Sequence, residues 1–215
     1  MVGRNFINLC FSIAWLQAGT LMVNAQEFVD RTPQIIEMGI MSNYPDGQFH
    51  PERVLSRAEL ATILVKTFGL NLRNSKPSNS IVLTDVSPEH WALLNIQQVV
   101  QKEIMTLDDR GRFLPDQPVT RAAGFAAFAQ AYGLFYVTDA EIATILAPYP
   151  DSTEIPQWGR RAIATAIFEG LVNIDPEKNL IEPNKLMTRE DMVYTLSEYL
   201  LKQQNPGTIP TIPLD

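Results

Sequence analysis

The chain has 215 residues, of which about 190 remain once a candidate export signal is set aside, enough for one medium domain or several small repeats. Its formal net charge of -7, from 17 Lys and Arg against 24 Asp and Glu, argues against bulk attraction to nucleic acid or an anionic membrane surface. With 46% hydrophobic and 19% charged residues, the chain is too apolar for wholesale disorder, and we expect a globular protein.

The N-terminal segment, residues 1–25, has the pattern of a signal peptide. Arg4 precedes an apolar run from Phe6 to Val23, and the segment ends on Ala25, a small residue suited to cleavage. An uncleaved membrane anchor is the alternative, because the apolar run approaches the thickness of a bilayer. The single cysteine lies in this segment, so a cleaved product has no disulfide.

Three segments repeat one pattern, and we place them at residues 26–70, 81–134 and 150–204. In each segment a proline lies six residues before an arginine, and a hydroxyl residue directly precedes the arginine. The pairs are Pro51 and Arg57, Pro115 and Arg121, and Pro183 and Arg189. Chance rarely keeps such a register, so the chain is predicted to consist of three similar units packed on one another.

Each unit is predicted to form a helix, a loop and a second helix. The loop of the first repeat contains Tyr-Pro-Asp-Gly at residues 44–47, a strong turn signal. The N-cap residues of the second helices are Ser56, Thr120 and Thr188. Glu59 completes a capping box in the first repeat and Asp191 partly imitates one in the third, but Ala123 cannot do so in the second.

The polarity of the residues within the second helices predicts how deeply each helix is buried. Those of the first two repeats are apolar on nearly every side, which is typical of buried helices, while the third is amphipathic. Gly69 and Gly133 follow their arginines by twelve residues and can end each helix in the left-handed conformation. We therefore expect an all-α fold in which the three second helices pack together at the centre.

Two polar linkers and a tail complete the chain. The linkers are residues 71–80 and 135–150, and the second contains a capping box of Thr138 and Glu141 that predicts one extra short helix. Because proline recurs at every third or fourth position, residues 205–215 are expected to form an extended tail.

These units resemble S-layer homology domains in tandem. The best matches to the family motifs are His90-Trp91-Ala92, Asn43-Tyr44-Pro45-Asp46-Gly47 and Ser56-Arg57-Ala58-Glu59, and the resemblance covers residues 26 to about 204. The first and third repeats are degenerate, since the first lacks the His-Trp-Ala start and the third lacks the Tyr-Pro-Asp-Gly loop. The resemblance implies three helix-loop-helix repeats in a pseudo-threefold arrangement around a central three-helix bundle.

The resemblance also implies a non-catalytic module that anchors exported proteins by binding wall-linked polysaccharide, often pyruvylated and acidic, in grooves between repeats. The ligand-binding residues carried over from the family are the motif arginines Arg57, Arg121 and Arg189. Such an arginine can grip a carboxylate with two hydrogen bonds, and Trp91 and Trp158 are candidate platforms for sugar rings. Asp46, Asp85 and Asp151 complete the candidate ligand-binding set. Because the motifs are eroded, we expect one or two grooves to bind rather than three.

Every candidate residue also has a structural interpretation. The arginines could form salt bridges to an acid of a neighbouring repeat, the tryptophans could be core residues, and the aspartates could cap turns or helices. A second function therefore stays open: an extracytoplasmic scaffold that has kept this fold, lost the glycan and binds an envelope protein partner.

Catalysis, metals and cofactors are not predicted. Only His50 and His90 could act as bases near neutral pH, and neither a glycine-rich phosphate loop nor zinc-ligand spacing is present. Residues 108–111 lack the alternating oxygen ligands of a calcium loop. The expected partner is cell-wall polysaccharide or a peptidoglycan-linked glycan, with no nucleic acid and no membrane insertion after signal cleavage. The expected location is secreted or in the cell envelope of a bacterium.

Overall fold

The computed structural model describes residues 29–70, 81, 83–133 and 137–204. Within these ranges the chain has seven α-helices, two short 3-10 turns and isolated β-bridges in place of strands. The helices are α1 Thr32–Glu37, α2 Arg57–Phe68, α3 Leu93–Gln101, α4 Arg121–Tyr132, α5 Asp139–Leu146, α6 Arg160–Phe168 and α7 Arg189–Gln204. The all-helical prediction is confirmed, while the predicted signal peptide, the first linker and the tail lie outside the described residues.

The predicted second helices are α2, α4 and α7, and their capping differs as the sequence indicates. In α2, the Ser56 hydroxyl accepts from the Glu59 amide and the Glu59 carboxylate accepts from the Ser56 amide. The same reciprocal pair joins Thr188 and Asp191 at the start of α7. At α4 only one half exists, the bond from the Ala123 amide to the N-cap hydroxyl, because alanine has no side-chain acceptor to return.

The ends of these helices also follow their predicted signals. Gly69 and Gly133 adopt φ of 58° and 78° directly after α2 and α4, a left-handed conformation that residues with a Cβ rarely adopt. The helix predicted from Thr138 and Glu141 is α5, and both halves of its capping box are present. Side-chain caps thus account for where α2, α4, α5 and α7 begin, and glycines account for where α2 and α4 end.

Aromatic rings join α2, α4 and α7 near their C-terminal ends. Phe68 lies 5.1 Å from Phe128 and 5.2 Å from Tyr199 between ring centroids, and Phe128 lies 5.8 Å from Tyr199. All three contacts are edge-on, a geometry that aromatic pairs favour. The expectation that the three second helices contact one another is confirmed.

A ring of backbone hydrogen bonds joins the N-terminal ends of the same helices. The Leu55 amide donates to the Met187 carbonyl at 2.9 Å, the Met187 amide donates to Val119 at 2.8 Å, and the Val119 amide donates back to Leu55 at 3.0 Å. All three residues are buried and lie two positions before the motif arginines. The first repeat is therefore bonded to the second and third, and the second to the third, in a closed cycle.

The remaining helices pack around the three second helices. Helix α3 packs against α2, α6 against α4 and α5, and α1 against α7. The side chain of Arg161 in α6 pairs with Asp139 and donates to the carbonyl of Val137, which fastens α5 to α6. Across the described parts of the chain, no helix has both the length and the apolarity needed to cross a bilayer.

Candidate ligand-binding grooves

The three motif arginines begin α2, α4 and α7 and make equivalent backbone contacts. Each side chain donates from Nε and from Nη2 to two carbonyl groups of another repeat, at 2.6–2.9 Å. The acceptors are Phe113 and Thr106 for Arg57, Ile181 and Asn173 for Arg121, and Phe49 and Ser42 for Arg189. Each contact region is named here after its arginine, as the Arg57, Arg121 and Arg189 junctions.

In the Arg121 junction the guanidinium is enclosed and neutralised by the protein. Arg121 is 2% exposed, and its Nη1 lies 2.6 Å from Asp191 Oδ1 and 2.8 Å from Asn173 Oδ1. The amide of Asn173 also donates to Asp191 Oδ1 at 2.7 Å. The salt bridge to a neighbouring repeat, the structural interpretation from sequence, is therefore present here.

In the Arg189 junction aromatic rings enclose the guanidinium. Arg189 is 5% exposed, and its guanidinium carbon lies 4.2 Å from the ring centroid of Phe49 and 4.8 Å from that of Tyr44. The Tyr44 hydroxyl donates to Glu59 Oε1 at 3.1 Å. Burial, followed by the charge of Glu59, raises the pKa of Tyr44, so this hydroxyl keeps its proton as a donor.

The Arg57 junction leaves its guanidinium half-buried and open on one side. The guanidinium carbon lies 4.6 Å from the ring centroid of Phe113. Burial lowers the pKa of Arg57, and the charges of Asp85 and Asp108 oppose that effect. Among the described residues, no carboxylate lies within ion-pair distance of this arginine. A half-buried cation that is not directly paired with a carboxylate of its own chain can accept one from a ligand.

A groove of about 340 Å³ opens beside this arginine, and we call it the Arg57 groove. Its lining includes Arg57, Thr106, Thr120, Ala123, Gln130 and Trp158, together with the acid Glu103. They come from the start of α2, from both ends of α4, from the segment after α3 and from the turn before α6. The groove therefore collects side chains from all three repeats.

Trp158 also lines a second hollow of about 580 Å³. This hollow is bounded by α5 and α6, and its polar lining residues include Asp139, Gln157, Arg160 and Arg161. Arg161 is already paired with Asp139. Gln130 and Ala162 line both spaces together with Trp158, so the two hollows adjoin at the tryptophan ring.

Both candidate tryptophans are exposed, and their interpretation as core residues is therefore wrong. Trp158 is 67% exposed in the Gln157–Gly159 turn, and Trp91 is 64% exposed just before α3, stacked on His90 at 5.6 Å between ring centroids. Trp91 lines neither of the two hollows. Trp158 thus lines the same groove as Arg57, and Trp91 does not.

The three candidate aspartates hold loops, as the capping interpretation predicts. Asp85 accepts from the amides of Phe113 and Leu114 at 2.8 and 2.7 Å. Asp151 makes the matching pair of bonds in the third repeat, with the amides of residues 181 and 182. Asp46 accepts from the Gln48 amide and contacts His50. These carboxylates fix the loops that supply carbonyl acceptors to the arginines.

Two further lining residues were not candidates from the sequence. Gln130 interrupts the apolar run of α4 nine residues after Arg121, a signal that could have marked a position facing an open space. Thr106 has no comparable signal, because its place beside Arg57 depends on a contact between repeats. Within the described residues, no group of three His, Cys, Asp or Glu is placed to hold a metal ion.

The S-layer homology domain model matches residues 34–61, 83–123 and 148–193. Similar proteins include a cellulosome-anchoring protein and cell surface glycoprotein 1 of Acetivibrio thermocellus, 27% and 28% identical over 79% and 74% of this chain. A surface-layer 125 kDa protein of Lysinibacillus sphaericus is 22% identical over 76%. The matches span 37%, 7% and 13% of these three relatives, so the chain corresponds to a minor part of each.

The three matched segments include all three motif arginines and the caps of α2, α4 and α7. Together they cover more than half of the chain. The chain therefore belongs to the S-layer homology domain family and has a secreted or cell-envelope location.

Proposed function

We propose that this chain attaches to the cell wall by binding an acidic, wall-linked polysaccharide in the Arg57 groove. The observation that carries the proposal is the contrast among the three arginines. Arg57 faces an open groove without a carboxylate partner in the described residues, whereas Arg121 and Arg189 are buried among protein groups. The proposal accordingly uses one groove and assigns Arg121, Arg189 and the three loop aspartates to structural roles.

The lining of the Arg57 groove suits a sugar with a negative charge. The exposed ring of Trp158 offers an apolar face for sugar C–H groups, and Gln130, Thr106 and Thr120 supply amide, carbonyl and hydroxyl groups for sugar hydroxyls. The chain carries a net charge of -7, so an acidic polymer gains nothing from long-range attraction and needs a local cation. Arg57 is that cation, and a pyruvyl ketal or uronic acid would supply the matching carboxylate.

A protein-interaction scaffold is the second candidate, and one surface favours it. Trp91 and Leu94 are 64% and 65% exposed around the start of α3, and neither lines the Arg57 groove. Exposed aromatic and aliphatic side chains close together are common at protein interfaces. Binding of an envelope protein that is lost in Trp91→Ala and kept in Trp158→Ala would favour this function.

Sedimentation with purified wall polysaccharide tests the proposal. We expect the chain to sediment with the polymer, and Arg57→Gln and Trp158→Ala to weaken binding. Lys178→Gln makes the same charge change as Arg57→Gln on a residue that lines neither hollow, and should bind as the parent does. Circular dichroism checks that each variant folds. Trp158→Ala is the groove variant less exposed to a loss of folding, because its exposed side chain is expected to add little to stability. Unchanged sedimentation of both groove variants would contradict the proposal.

A further inference from the structure

The first helices of the three repeats, α1, α3 and α6, end in the same turn. Two residues after each helix the chain has Gly39, Glu103 and Gly170, with φ of 68°, 57° and 67°. In all three turns the amide of this residue donates to the carbonyl three positions earlier, and the next amide donates to the carbonyl five positions earlier. The positions are therefore equivalent, and the second repeat has a glutamate where the other two have glycine.

This position is unfavourable for a glutamate in two ways. A left-handed backbone brings the Cβ close to the following carbonyl oxygen, a contact that glycine avoids. A carboxylate at the end of a helix also lies near the partial negative charge of unpaired carbonyl groups. Residues held in such a conformation are concentrated at functional sites, where a ligand contact can require them. Neither the turn nor the helix explains an acid at residue 103.

Contacts within the chain do not explain this acid either. Glu103 is exposed, and in the part of the chain that the structure describes its carboxylate has neither a hydrogen bond nor an ion pair. The Glu103 amide donates to the Val100 carbonyl at 3.0 Å, and Gly39 and Gly170 make the corresponding bond at 2.9 Å. Glycine would therefore serve the turn at least as well as glutamate does.

Glu103 lines the Arg57 groove, together with Arg57 and Thr106. Its carboxylate lies outside ion-pair distance of Arg57. One groove thus has a cation and an anion that do not pair with each other. A ligand in this groove meets a donor with a positive charge at one place and an acceptor with a negative charge at another.

We propose that Glu103 is a specificity-determining residue of the Arg57 groove, which accepts hydrogen bonds from two neighbouring hydroxyl groups of the bound sugar. An ionised carboxylate only accepts hydrogen bonds, and its two oxygens can each take one hydroxyl of a vicinal pair. Hydrogen bonds to a charged acceptor are stronger than those between neutral groups. This inference rests on the proposed function and adds to it the group on the sugar that the groove selects.

The charge of Glu103 also restricts the class of sugar. It repels a second anionic group in the groove, so sugars with one acidic group are favoured over those with several. A sugar whose hydroxyl groups are acylated has no donor for this carboxylate and would desolvate it without a replacement bond. The ligand class is therefore a sugar with a single acidic group and two free vicinal hydroxyl groups.

Restoring glycine at this position tests the inference. We expect Glu103→Gly to keep or raise the melting temperature, because the left-handed turn no longer holds a Cβ. The same variant should weaken sedimentation with wall polysaccharide by about tenfold. A purely structural role would give the opposite pattern, a lower melting temperature with unchanged binding, and that result would overturn the inference.

Glu182→Gly is the matched control for this variant. Glu182 is also an acid with a left-handed backbone, with φ of 53°, and it lines neither hollow. The control makes the same change in charge and backbone freedom away from the groove. It should bind polysaccharide as the parent does, and equal weakening by Glu182→Gly and Glu103→Gly would contradict a direct contact with the sugar.

Two small probes test which chemical group the residue selects. Methyl glucuronoside has a ring, a carboxylate and vicinal hydroxyl groups, whereas tetrahydropyran-2-carboxylate has the ring and the carboxylate alone. In titrations followed by nuclear magnetic resonance, the parent should bind the glucuronoside about tenfold more tightly. Glu103→Gln keeps the side-chain length, removes the charge and should lose most of that preference. The inference is overturned if the parent shows no preference or if Glu103→Gln leaves it unchanged.

The two proposals fail in different ways. If Arg57→Gln weakens polysaccharide sedimentation while Glu103→Gly and Glu103→Gln leave it unchanged, the groove binds glycan and the role of Glu103 is wrong. If none of these variants and not Trp158→Ala affects sedimentation, both proposals are wrong. Should Glu103→Gly fold poorly, Glu103→Gln and the two probes decide the inference.

Discussion

The Arg57 and Arg121 junctions share one backbone design and differ in how the cation is neutralised. Both arginines donate from Nε and Nη2 to carbonyl groups of the following repeat. Arg121 has in addition a buried carboxylate at 2.6 Å, while Arg57 has an open groove. The two junctions differ at the third residue of the adjoining helix, which is Asp191 beside Arg121 and Ala123 beside Arg57. The same backbone contacts can thus hold an arginine that is enclosed with a carboxylate or one that lies beside an open groove.

The largest expected effect comes from breaking the Arg121 junction. Removing one partner of a buried ion pair leaves an uncompensated charge and is expected to cost about 3–5 kcal/mol of unfolding free energy. Arg121→Met leaves Asp191 in that state and should lower the urea midpoint accordingly. The double variant Arg121→Met with Asp191→Leu removes both charges and should be less destabilised than the single variant. Equal loss in single and double variants would contradict this.

A smaller effect is expected on ligand binding when the two tryptophans are compared. Trp158→Ala should weaken polysaccharide binding by about tenfold, a typical cost of removing a central aromatic contact. Trp91→Ala removes an equally exposed ring that lines neither hollow and should leave binding unchanged. Affinities from sedimentation at fixed salt measure the difference, and equal weakening by the two variants would show that both rings contact the polymer.

A mirror pair of substitutions compares the caps of α2 and α4. Glu59→Ala removes half of a capping box and the acceptor of Tyr44, which should destabilise the chain by about 1 kcal/mol. Ala123→Glu adds the missing half and should stabilise it by about 1 kcal/mol. Urea unfolding followed by circular dichroism measures both changes. Changes of the same sign would mean that the two helix starts are not equivalent.

The smallest effect is expected from pH at the loop of the Arg189 junction. A hydrogen bond to Asp46, opposed by burial and aided by Glu52, raises the pKa of His50. The stabilisation it gives is complete below the ordinary histidine pKa of about 6.5 and is lost as pH rises through the raised value. The urea midpoint should therefore fall as pH is raised from about 6 to about 8, and His50→Gln should remove that fall. An identical pH dependence in both chains would contradict this.

The elements of the fold were predictable because their signals are local. Caps such as Ser56 with Glu59 and the left-handed Gly69 lie within a few residues of the helix ends they define. The apolar residues of the second helices also predicted that these three helices contact one another. The cap that Ala123 lacks was visible in the sequence for the same reason, although its position beside a groove was not.

The site was less predictable because its contacts join residues far apart in the chain. Nothing near Asp85 indicates that it binds the amides of Phe113 and Leu114. Aromatic residues in a hydrophobic pattern favour a core assignment, and this assignment was wrong for Trp91 and Trp158 because both lie in turns at the surface. The different environments of Arg57 and Arg121 follow from neighbours supplied by another repeat.

The hydrogen-bonded cycle of Leu55, Val119 and Met187 limits how such a protein can change. An open solenoid can gain or lose units at its ends, since each repeat contacts only its neighbours. Here the third repeat accepts a backbone hydrogen bond from the first. Inserting a fourth repeat would separate the two and leave buried backbone groups without hydrogen-bond partners. New binding specificity must therefore arise by substitution at the existing junctions and not by adding repeats. Each junction can change its side chains while the backbone hydrogen bonds of the cycle stay in place.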